Sequence, residues 1–293
     1  MTILVNKDTK ILVQGITGKE GTTHTLSMLS YGTKVLAGVS PGRGGKRVNK
    51  IPVYDSVREA LEYHPSLSTS IVFVPAAFAA DAVYESIDAG LKIIVLITEM
   101  IPIHESLKFI NYAKAKKVMI IGPNSPGIIS PGECKVGIMP GHIFTNGNIG
   151  IMSRSGTLTY EVAWELSKNN LGQSTALGIG GDPVIGTDFI EIFELFNRDP
   201  MTKALVLIGE IGGDTEERFA DYISKNRLSK PIVALIAGRT APAEKRMGHA
   251  GAIITMGAGN AKGKCDALLK AGVRIANLPS EIPKLIPPEL NAH

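Results

Sequence analysis

The chain has 293 residues, of which 44% are hydrophobic and 20% charged, so it can form two ordinary domains and is not a disordered protein. Its net charge of +4 is mild and its few aromatic residues are not interleaved with basic clusters, so no nucleic-acid partner is indicated. Because no apolar run reaches the roughly 20 residues that span a bilayer and the N-terminus lacks a secretory-signal pattern, we expect a cytoplasmic protein without a membrane partner.

The first half of the chain alternates short apolar segments with helical patterns. Continuous β-branched runs are typical of strands buried on both faces, so the alternation predicts a doubly wound parallel α/β domain over residues 1–127. The predicted strands cover residues 11–13, 35–39, 71–74, 93–97 and 118–121, and the predicted helices cover 56–63, 79–89 and 105–115.

The turn after the first strand is rich in glycine. It reads GITGKEG over residues 15–21 and leads into a helical pattern. Glycines let the backbone approach a ligand and the free amides at a helix start favour anions, so this turn is a candidate phosphate-binding site. Glycine-rich turns of this kind also serve simple packing.

The loop after the second strand reads SPGRGGKR and carries Arg43. A fold that binds NAD would place a carboxylate near this point to hold a ribose hydroxyl. A basic loop instead favours a nucleotide with an additional phosphate, such as NADP or coenzyme A. A solvated surface loop is the alternative interpretation.

Residues 122–150 contain too much proline and glycine for long helices, and we predict an ordered connection at 128–147. The alternation of strands and helices then resumes, which predicts a second open α/β domain at 148–293. Its predicted strands cover residues 149–152, 175–179, 204–208, 232–236 and 252–254.

Three features of the second half are candidates for phosphate chemistry. Ser155 and Gly156 precede an apolar helical pattern, where the helix dipole would attract an anion, although a plain N-cap explains them equally well. Glu210 follows an apolar strand, at the edge where open α/β sheets place ligands. His249 lies in a basic, glycine-rich loop, and a neutral imidazole is a nucleophile near pH 7. Arg239, Lys245 and Arg246 in the same loop are candidates to balance phosphate charge.

Eight segments, in the same order along nearly the whole chain, resemble the α subunit of succinyl-CoA synthetase (succinate–CoA ligase). They are GITGKEG, SPGRGG, ITEMIP, GPNSPG, SRSGTLTYE, GIGGDP, GEIGG and GRTAPAEKRMGHAGAI. The resemblance implies a Rossmann-like CoA-binding domain followed by a flavodoxin-like ligase domain. It also implies a partner, a β subunit with an ATP-grasp site that binds ATP or GTP with Mg²⁺. This chain contains no Walker A sequence and has no room for an ATP-grasp domain.

The resemblance also assigns roles to residues. It implies that His249 is phosphorylated in turnover, that Glu210 accepts a hydrogen bond from its other ring nitrogen, and that Tyr160 lies at the substrate site. The helix start at Ser155 and Gly156 would point at the phosphohistidine, as would a second helix from the β subunit. The positions that would contact CoA are Thr17, Gly18, Lys19, Glu20, Arg43, Ile97, Thr98 and Glu99. The other substrates implied are succinate and phosphate.

Three other interpretations remain open from the sequence. A related acid–CoA ligase, for example one that uses malate, would share these segments because the acid pocket is completed by the β chain. An NADP-dependent dehydrogenase is disfavoured because the usual dinucleotide spacing is absent. A CoA-binding sensor would not require His249 or Glu210. The two cysteines, Cys134 and Cys265, are expected to be reduced thiols, and we predict no metal site.

Overall fold

The computed structural model describes residues 2–226, 229–242, 245–254 and 259–290. Within these ranges the chain forms two seven-stranded sheets, each flanked by helices. The α/β fold class predicted from the sequence is therefore confirmed.

The first sheet is built from the first 121 residues. Its parallel strands lie in the order β4-β2-β1-β5-β6-β7, and β3 pairs antiparallel with β4 at one edge. Numbered by position in the chain, the parallel strands run 3-2-1-4-5-6, which is the Rossmann order. The elements are β1 (Lys10–Gln14), α1 (Lys19–Ser30), β2 (Lys34–Val39), β3 (Arg47–Val48), β4 (Ile51–Tyr54), α2 (Val57–Tyr63), β5 (Thr69–Val72), α3 (Ala76–Asp88), β6 (Ile93–Leu96), α4 (Ile103–Ala115) and β7 (Met119–Ile121).

The second sheet continues the chain with one antiparallel edge. Its parallel strands lie in the order β14-β13-β12-β10-β11, which is 5-4-3-1-2 in chain order and is the flavodoxin-like arrangement. The elements are β8 (Gly127–Ser130), β9 (Cys134–Gly137), β10 (Asn146–Ser153), α5 (Gly156–Lys168), β11 (Gln173–Gly178), α6 (Phe189–Arg198), β12 (Ala204–Glu210), α7 (Thr215–Lys225), β13 (Ile232–Ala237), α8 (Ala261–Lys270), β14 (Arg274–Ala276) and α9 (Ile282–Leu285).

Two parts of the second half differ from the sequence prediction. Residues 252–254 do not form a strand, and the fifth parallel strand is β14 instead. Part of the predicted connection at 128–147 forms β8 and β9, which pair with each other and with β11 at the edge of the second sheet. The domain limits themselves stay predictions, and the last three residues of the predicted second domain lie outside the described ranges.

The central strands of both sheets are buried on both faces. Every residue of β5, β11 and β12 is buried, because helices cover each side of the sheets. The helices that cover them are amphipathic: α6 buries Phe189, Ile192, Phe193 and Phe196, a spacing of three and four residues that lies on one helix face. None of the helices in the described ranges is long and apolar enough to cross a membrane.

Side chains at the joint hold the two sheets in a fixed relation. Thr33 Oγ1 donates to the carbonyl of Lys135 and accepts from its amide, at 2.8 and 3.0 Å. The ammonium of Lys135, which is buried, reaches α1 and donates to Ser27 Oγ at 2.6 Å. These contacts join α1 and the turn after it to β9 of the second half. Residues that follow β5 and β6 in the first sheet and β10 in the second line a common cleft.

Candidate active site

A cleft of about 610 Å³ lies between the two halves. Open α/β sheets place ligands at the carboxyl ends of the strands where the strand order reverses. In the first sheet that point lies between β1 and β5, and in the second it lies between β10 and β12. The cleft is lined by residues that follow both points and by the histidine loop: Glu20, His24, Phe73, Val74, Pro75, Ile97, Thr98, Glu99, Asn124, Ser125, Pro126, Ile138, Gly156, Thr157, Tyr160 and His249.

His249 and Glu210 are in contact in the structure. The Nδ1 atom of His249 lies 2.8 Å from Oε2 of Glu210 at the end of β12. A carboxylate only accepts hydrogen bonds, so Nδ1 carries the proton and Nε2 of the neutral ring keeps its lone pair. The His249 side chain is 28% exposed, whereas the Glu210 side chain is 8% exposed. The arrangement therefore presents an oriented nucleophilic nitrogen to the cleft.

Electrostatic contacts around His249 raise its pKa. The hydrogen bond to Glu210 is the largest cause, and burial of the ring acts in the opposite direction. On its other side, Glu210 Oε1 lies 3.2 Å from Nη2 of Arg154, an ion-pair distance without the alignment of a hydrogen bond. Arg154 is buried, and its charge acts to lower the pKa of His249, against the effect of Glu210.

The GIGGDP segment packs against the ring of His249. A Cβ atom at Gly181 would lie 2.5 Å from Cγ of His249, so the backbone of residue 181 leaves no space beside the ring. The next residue, Asp182, is buried and accepts a hydrogen bond at 3.0 Å from Nδ2 of Asn124. Burial raises the pKa of Asp182. Two segments far apart in the chain thus form one wall of the site.

The start of α5 faces the same cleft. Ser155 Oγ accepts a hydrogen bond from the amide of Leu158, which confirms the N-cap interpretation of Ser155. The first amides of a helix have no partner within it, and both Gly156 and Thr157 line the cleft. An N-cap and an anion site are thus compatible here, since the cap uses the amide of the third helical residue.

In the first half, the candidate glycine turn and the basic loop lie side by side. Thr17 Oγ1 donates to Ser40 Oγ at 2.9 Å, which joins the turn after β1 to the loop after β2. Asp55 accepts hydrogen bonds from the amides of Arg43 and Gly44, at 2.9 and 2.8 Å, and so fixes the shape of the loop. The candidate CoA-binding residues of the turn and the loop are all exposed: Thr17, Gly18, Lys19, Glu20 and Arg43.

The structure brings the remaining candidates into the cleft. Thr98 Oγ1 donates to the carbonyl of Val74 at 2.7 Å, which places Ile97 and Glu99 on either side of it at the cleft wall. Burial raises the pKa of Tyr160, and Tyr160 lies one helical turn beyond Gly156. Glu20 also lines the cleft, whereas Thr17, Gly18, Lys19 and Arg43 lie outside it along the adjacent edge.

Several residues at or near the cleft were not identified as site residues from the sequence. Arg154 and Asp182 stand within the resembling segments but carry no individual signal, because an isolated charged residue is usually solvated. His24 stacks on Phe73 with ring centroids 5.6 Å apart and lines the cleft. Arg239 donates to the carbonyl of Ala276 at 3.0 Å, and its role in balancing phosphate charge stays a prediction.

Comparisons with known proteins agree with this geometry. The sequence model of the CoA binding domain family matches residues 6–100, and that of the CoA-ligase family matches residues 152–274. The α subunit 2 of an ADP-forming succinate–CoA ligase from Archaeoglobus fulgidus is 56% identical over 98% of this chain and 99% of its own. The corresponding α subunit from Aquifex aeolicus is also 56% identical, over 96% of this chain and 92% of its own. The chain belongs to the succinate–CoA ligase α-subunit family. The resemblance inferred from the eight segments is thereby confirmed.

Solved structures outside the succinate–CoA ligase family share the fold. An ATP citrate lyase from Methanothrix soehngenii, with citrate and coenzyme A, superposes with a TM-score of 0.88 over 97% of this chain at 23% identity. An acetyl-coenzyme A synthetase from Ca. Korarchaeum cryptofilum gives 0.75 over 94% at 22% identity. The chain spans 50% and 59% of those two chains, and at such identities they show the fold alone.

The close approach of Gly181 to His249 gives a first testable expectation. Gly181→Ala should displace the ring, because the new Cβ would lie 2.5 Å from Cγ and 2.6 Å from Nδ1 of His249. We expect phosphorylation of the chain to slow by about tenfold, as is typical when the partner that orients a reactive imidazole is disturbed. The measurement is the rate of phosphate uptake from labelled nucleoside triphosphate with the partner subunit present.

Gly263→Ala is the matched control for this substitution. A Cβ at Gly263 in α8 would meet no atom closer than 3.5 Å, so the substitution adds one methyl group without a collision. If Gly181→Ala proceeds at the same rate as Gly263→Ala, the packing of residue 181 does not position His249.

Proposed function

We propose that this chain is the α subunit of a succinate–CoA ligase, which forms succinyl-CoA reversibly from succinate and CoA at the expense of a nucleoside triphosphate. The observation that carries the proposal is the 2.8 Å contact between His249 and Glu210 at a cleft shared by the two halves. A covalent carrier divides a three-substrate reaction into separate transfers, and an oriented imidazole is suited to that task.

Coenzyme A is the ligand of the first half in this proposal. Its phosphates lie against the turn at Thr17, Gly18, Lys19 and Glu20 and near the guanidinium of Arg43, where free amides and a positive charge are available. Its thiol end follows the cleft wall at Ile97, Thr98 and Glu99 toward His249. The cleft is continuous from Glu20 to His249, so one extended ligand can reach both.

In the first transfer, Nε2 of neutral His249 attacks the terminal phosphorus of the nucleotide, and the bond to the nucleoside diphosphate breaks. Glu210 holds the Nδ1 proton and stabilises the positive charge that the ring develops. The amides at the start of α5 and the helix dipole stabilise the phosphoryl oxygens, with Ser155 and Gly156 forming that terminus.

The next two transfers return the chain to its starting state. A carboxylate oxygen of succinate attacks the phosphorus, so that the P–N bond breaks and succinyl phosphate forms. The sulfur of CoA then attacks the succinyl carbonyl, phosphate leaves, and the thiol proton passes to the released phosphate. Tyr160 lines the place where the acid would lie.

The nucleotide site belongs to a partner in this proposal. The relatives are named as α subunits of ADP-forming enzymes, so we propose a β subunit that binds the ATP–ADP couple with Mg²⁺ through an ATP-grasp domain. In the part of the chain that the structure describes, no group of three or more His, Cys, Asp or Glu side chains is placed to hold a metal ion. The assembly works in the cytoplasm.

An acid panel tests the substrate and the partner together. The chain is co-purified with the β subunit, and thioester formation from CoA and ATP is followed with succinate, malate, citrate and acetate. We expect the highest kcat/KM for succinate and no reaction without the β subunit. A higher kcat/KM for malate would show that the enzyme is a related acid–CoA ligase. Reduction of NADP by the chain alone would overturn the proposal.

A further inference from the structure

Behind Glu210 lies a buried row of side chains with alternating charge. Arg154 Nη1 lies 3.3 Å from Oε1 of Glu216 on α7, while its Nη2 lies 3.2 Å from Oε1 of Glu210. The other carboxylate oxygen of Glu216 lies 2.5 Å from Nζ of Lys264 on α8. The sequence of charges from the cleft inward is therefore Glu210, Arg154, Glu216 and Lys264.

This row is removed from solvent. The side chains of Glu216 and Lys264 are both 0% exposed and that of Arg154 is 5% exposed. Charged side chains are rarely buried to this degree unless they are paired, and an exchange for apolar residues would preserve packing without their desolvation cost. A buried row of four charges that ends at the histidine loop thus points to a role beyond packing.

Glu216 is connected to the backbone of the site as well as to Arg154. Its Oε1 accepts a hydrogen bond at 3.1 Å from the amide of Glu210, and Arg154 Nη1 donates at 3.1 Å to the carbonyl of Gly212. Lys264 also donates to the carbonyl of Gly213 at 3.0 Å. The same groups therefore fix both the main chain after β12 and the guanidinium that faces Glu210.

We propose that Glu216 and Lys264 are positioning residues. They determine how the guanidinium of Arg154 is shared between the carboxylates of Glu216 and Glu210, and so how strongly Glu210 binds the ring of His249. Lys264 attracts the carboxylate of Glu216, which in turn attracts the guanidinium of Arg154. The more strongly Arg154 is held by Glu216, the less strongly it attracts Glu210. The inference rests on the proposed role of His249 as the phosphoryl carrier. It assigns α7 and α8 a task in tuning that carrier, although neither helix lines the cleft at His249.

Charge arithmetic gives opposite effects for the two residues. In Glu216→Gln a negative charge is lost and Arg154 binds Glu210 more strongly, so Glu210 stabilises the protonated ring less and the pKa of His249 should fall. In Lys264→Met a positive charge is lost and Glu216 binds Arg154 more strongly. Glu210 is then less neutralised by Arg154, so the pKa of His249 should rise. A disturbance of folding alone would not produce shifts of opposite sign.

The remaining charges around His249 stay constant in both variants. Glu210 contacts the ring directly, Asp182 faces it from the GIGGDP segment, and Arg246 lies in its own loop, where its Nε donates to the carbonyl of His249 at 3.3 Å. Any difference between the two variants and the wild-type chain therefore arises from the row behind Arg154.

The test is an NMR titration of the imidazole of His249 in the full chain, assigned by comparison with His249→Ala. It is accompanied by the pH profile of phosphorylation in the complex with the β subunit. We expect the midpoint to move down with Glu216→Gln and up with Lys264→Met, each on the order of half a pH unit. Midpoints of both variants that match the wild-type value would overturn the inference.

Lys262→Met is the matched control. Lys262 also lies on α8 but pairs with Asp266, at 3.0 Å, and its side chain is 87% exposed, so removal of its charge should leave the midpoint at the wild-type value. In Glu216→Gln the buried Lys264 still pairs with Glu217, at 2.8 Å, so its charge is not left without a partner. Glu216→Gln can therefore be tested even if Lys264→Met does not fold. The titration needs no turnover, so the two failures can be distinguished: pKa shifts without labelling at His249 would refute the proposed function, whereas labelling without the shifts would refute the role of the row.

Discussion

Glu210→Gln is expected to slow phosphorylation of His249 by about 100-fold, at the upper end of the range for loss of a group that orients a reactive imidazole. Glutamine keeps the shape of the side chain but loses the charge that stabilises the imidazolium. It also presents both a donor and an acceptor to the ring, so Nδ1 is no longer required to carry the proton. The measurement is single-turnover uptake of labelled phosphate with the β subunit present.

The same substitution should change the pH dependence of the step. Glu210 is the main cause of the raised pKa of His249, and the nucleophile is the neutral ring. In the wild-type chain the rate should therefore rise with pH through a midpoint above the ordinary histidine value of 6.5. In Glu210→Gln the midpoint should move to lower pH while the limiting rate at high pH falls. An unchanged midpoint would mean that Glu210 does not control the protonation of the ring.

Affinity for CoA is the internal control for Glu210→Gln. The proposed CoA phosphate contacts follow β1 and β2 in the first sheet, whereas Glu210 ends β12 in the second. We expect the dissociation constant of CoA, measured by calorimetry with the unphosphorylated complex, to stay within about twofold of the wild-type value, as for sites without shared partners. A large loss of CoA affinity would contradict the separation of the two sites.

Much of the fold could be predicted because buried parallel strands leave a strong pattern. Segments such as the strand Ala204–Glu210 are apolar throughout, so their positions were clear from the sequence. Residues 252–254 imitate this pattern with a short apolar run, whereas the actual edge strand, Arg274–Ala276, contains a charged residue and is only three residues long. Short edge strands need little apolar surface, so local composition identified the wrong segment.

The antiparallel pair at the other edge was missed for a related reason. Strands Gly127–Ser130 and Cys134–Gly137 are four residues each and stand between prolines and glycines that indicated a connection. They are strands because β11 offers an edge to which they can pair, which is a tertiary cause that composition does not show.

The site was predictable to the extent that its residues stand in distinctive segments. His249, Glu210 and the start of α5 could be named from the sequence, and the structure places them around one cleft. The charged residues behind them could not be predicted, because Glu216 lies 48 residues from Lys264 and 62 residues from Arg154 in the chain. Only folding brings such partners together, and each alone has the composition of an ordinary surface residue.

His249→Ala is expected to abolish phosphorylation, because alanine offers no atom that can accept the phosphoryl group. The complex should still assemble and bind CoA, since His249 belongs to no strand of either sheet and is not one of the proposed CoA contacts. His249→Gln, which keeps a polar side chain of similar length, should be equally inactive. Formation of succinyl-CoA by either variant at more than a trace of the wild-type rate would show that the phosphoryl group travels by another route.

The most direct measurement is the mapping of the phosphoryl group during turnover. The chain and its β subunit are incubated with ATP, stopped in base to preserve phosphoramidates, digested and sequenced by mass spectrometry. We expect phosphate on the peptide that contains His249, stable in base, labile in acid, and discharged when succinate and CoA are added. Phosphate on a different side chain, or an unmodified His249 under conditions that produce succinyl-CoA, would contradict it.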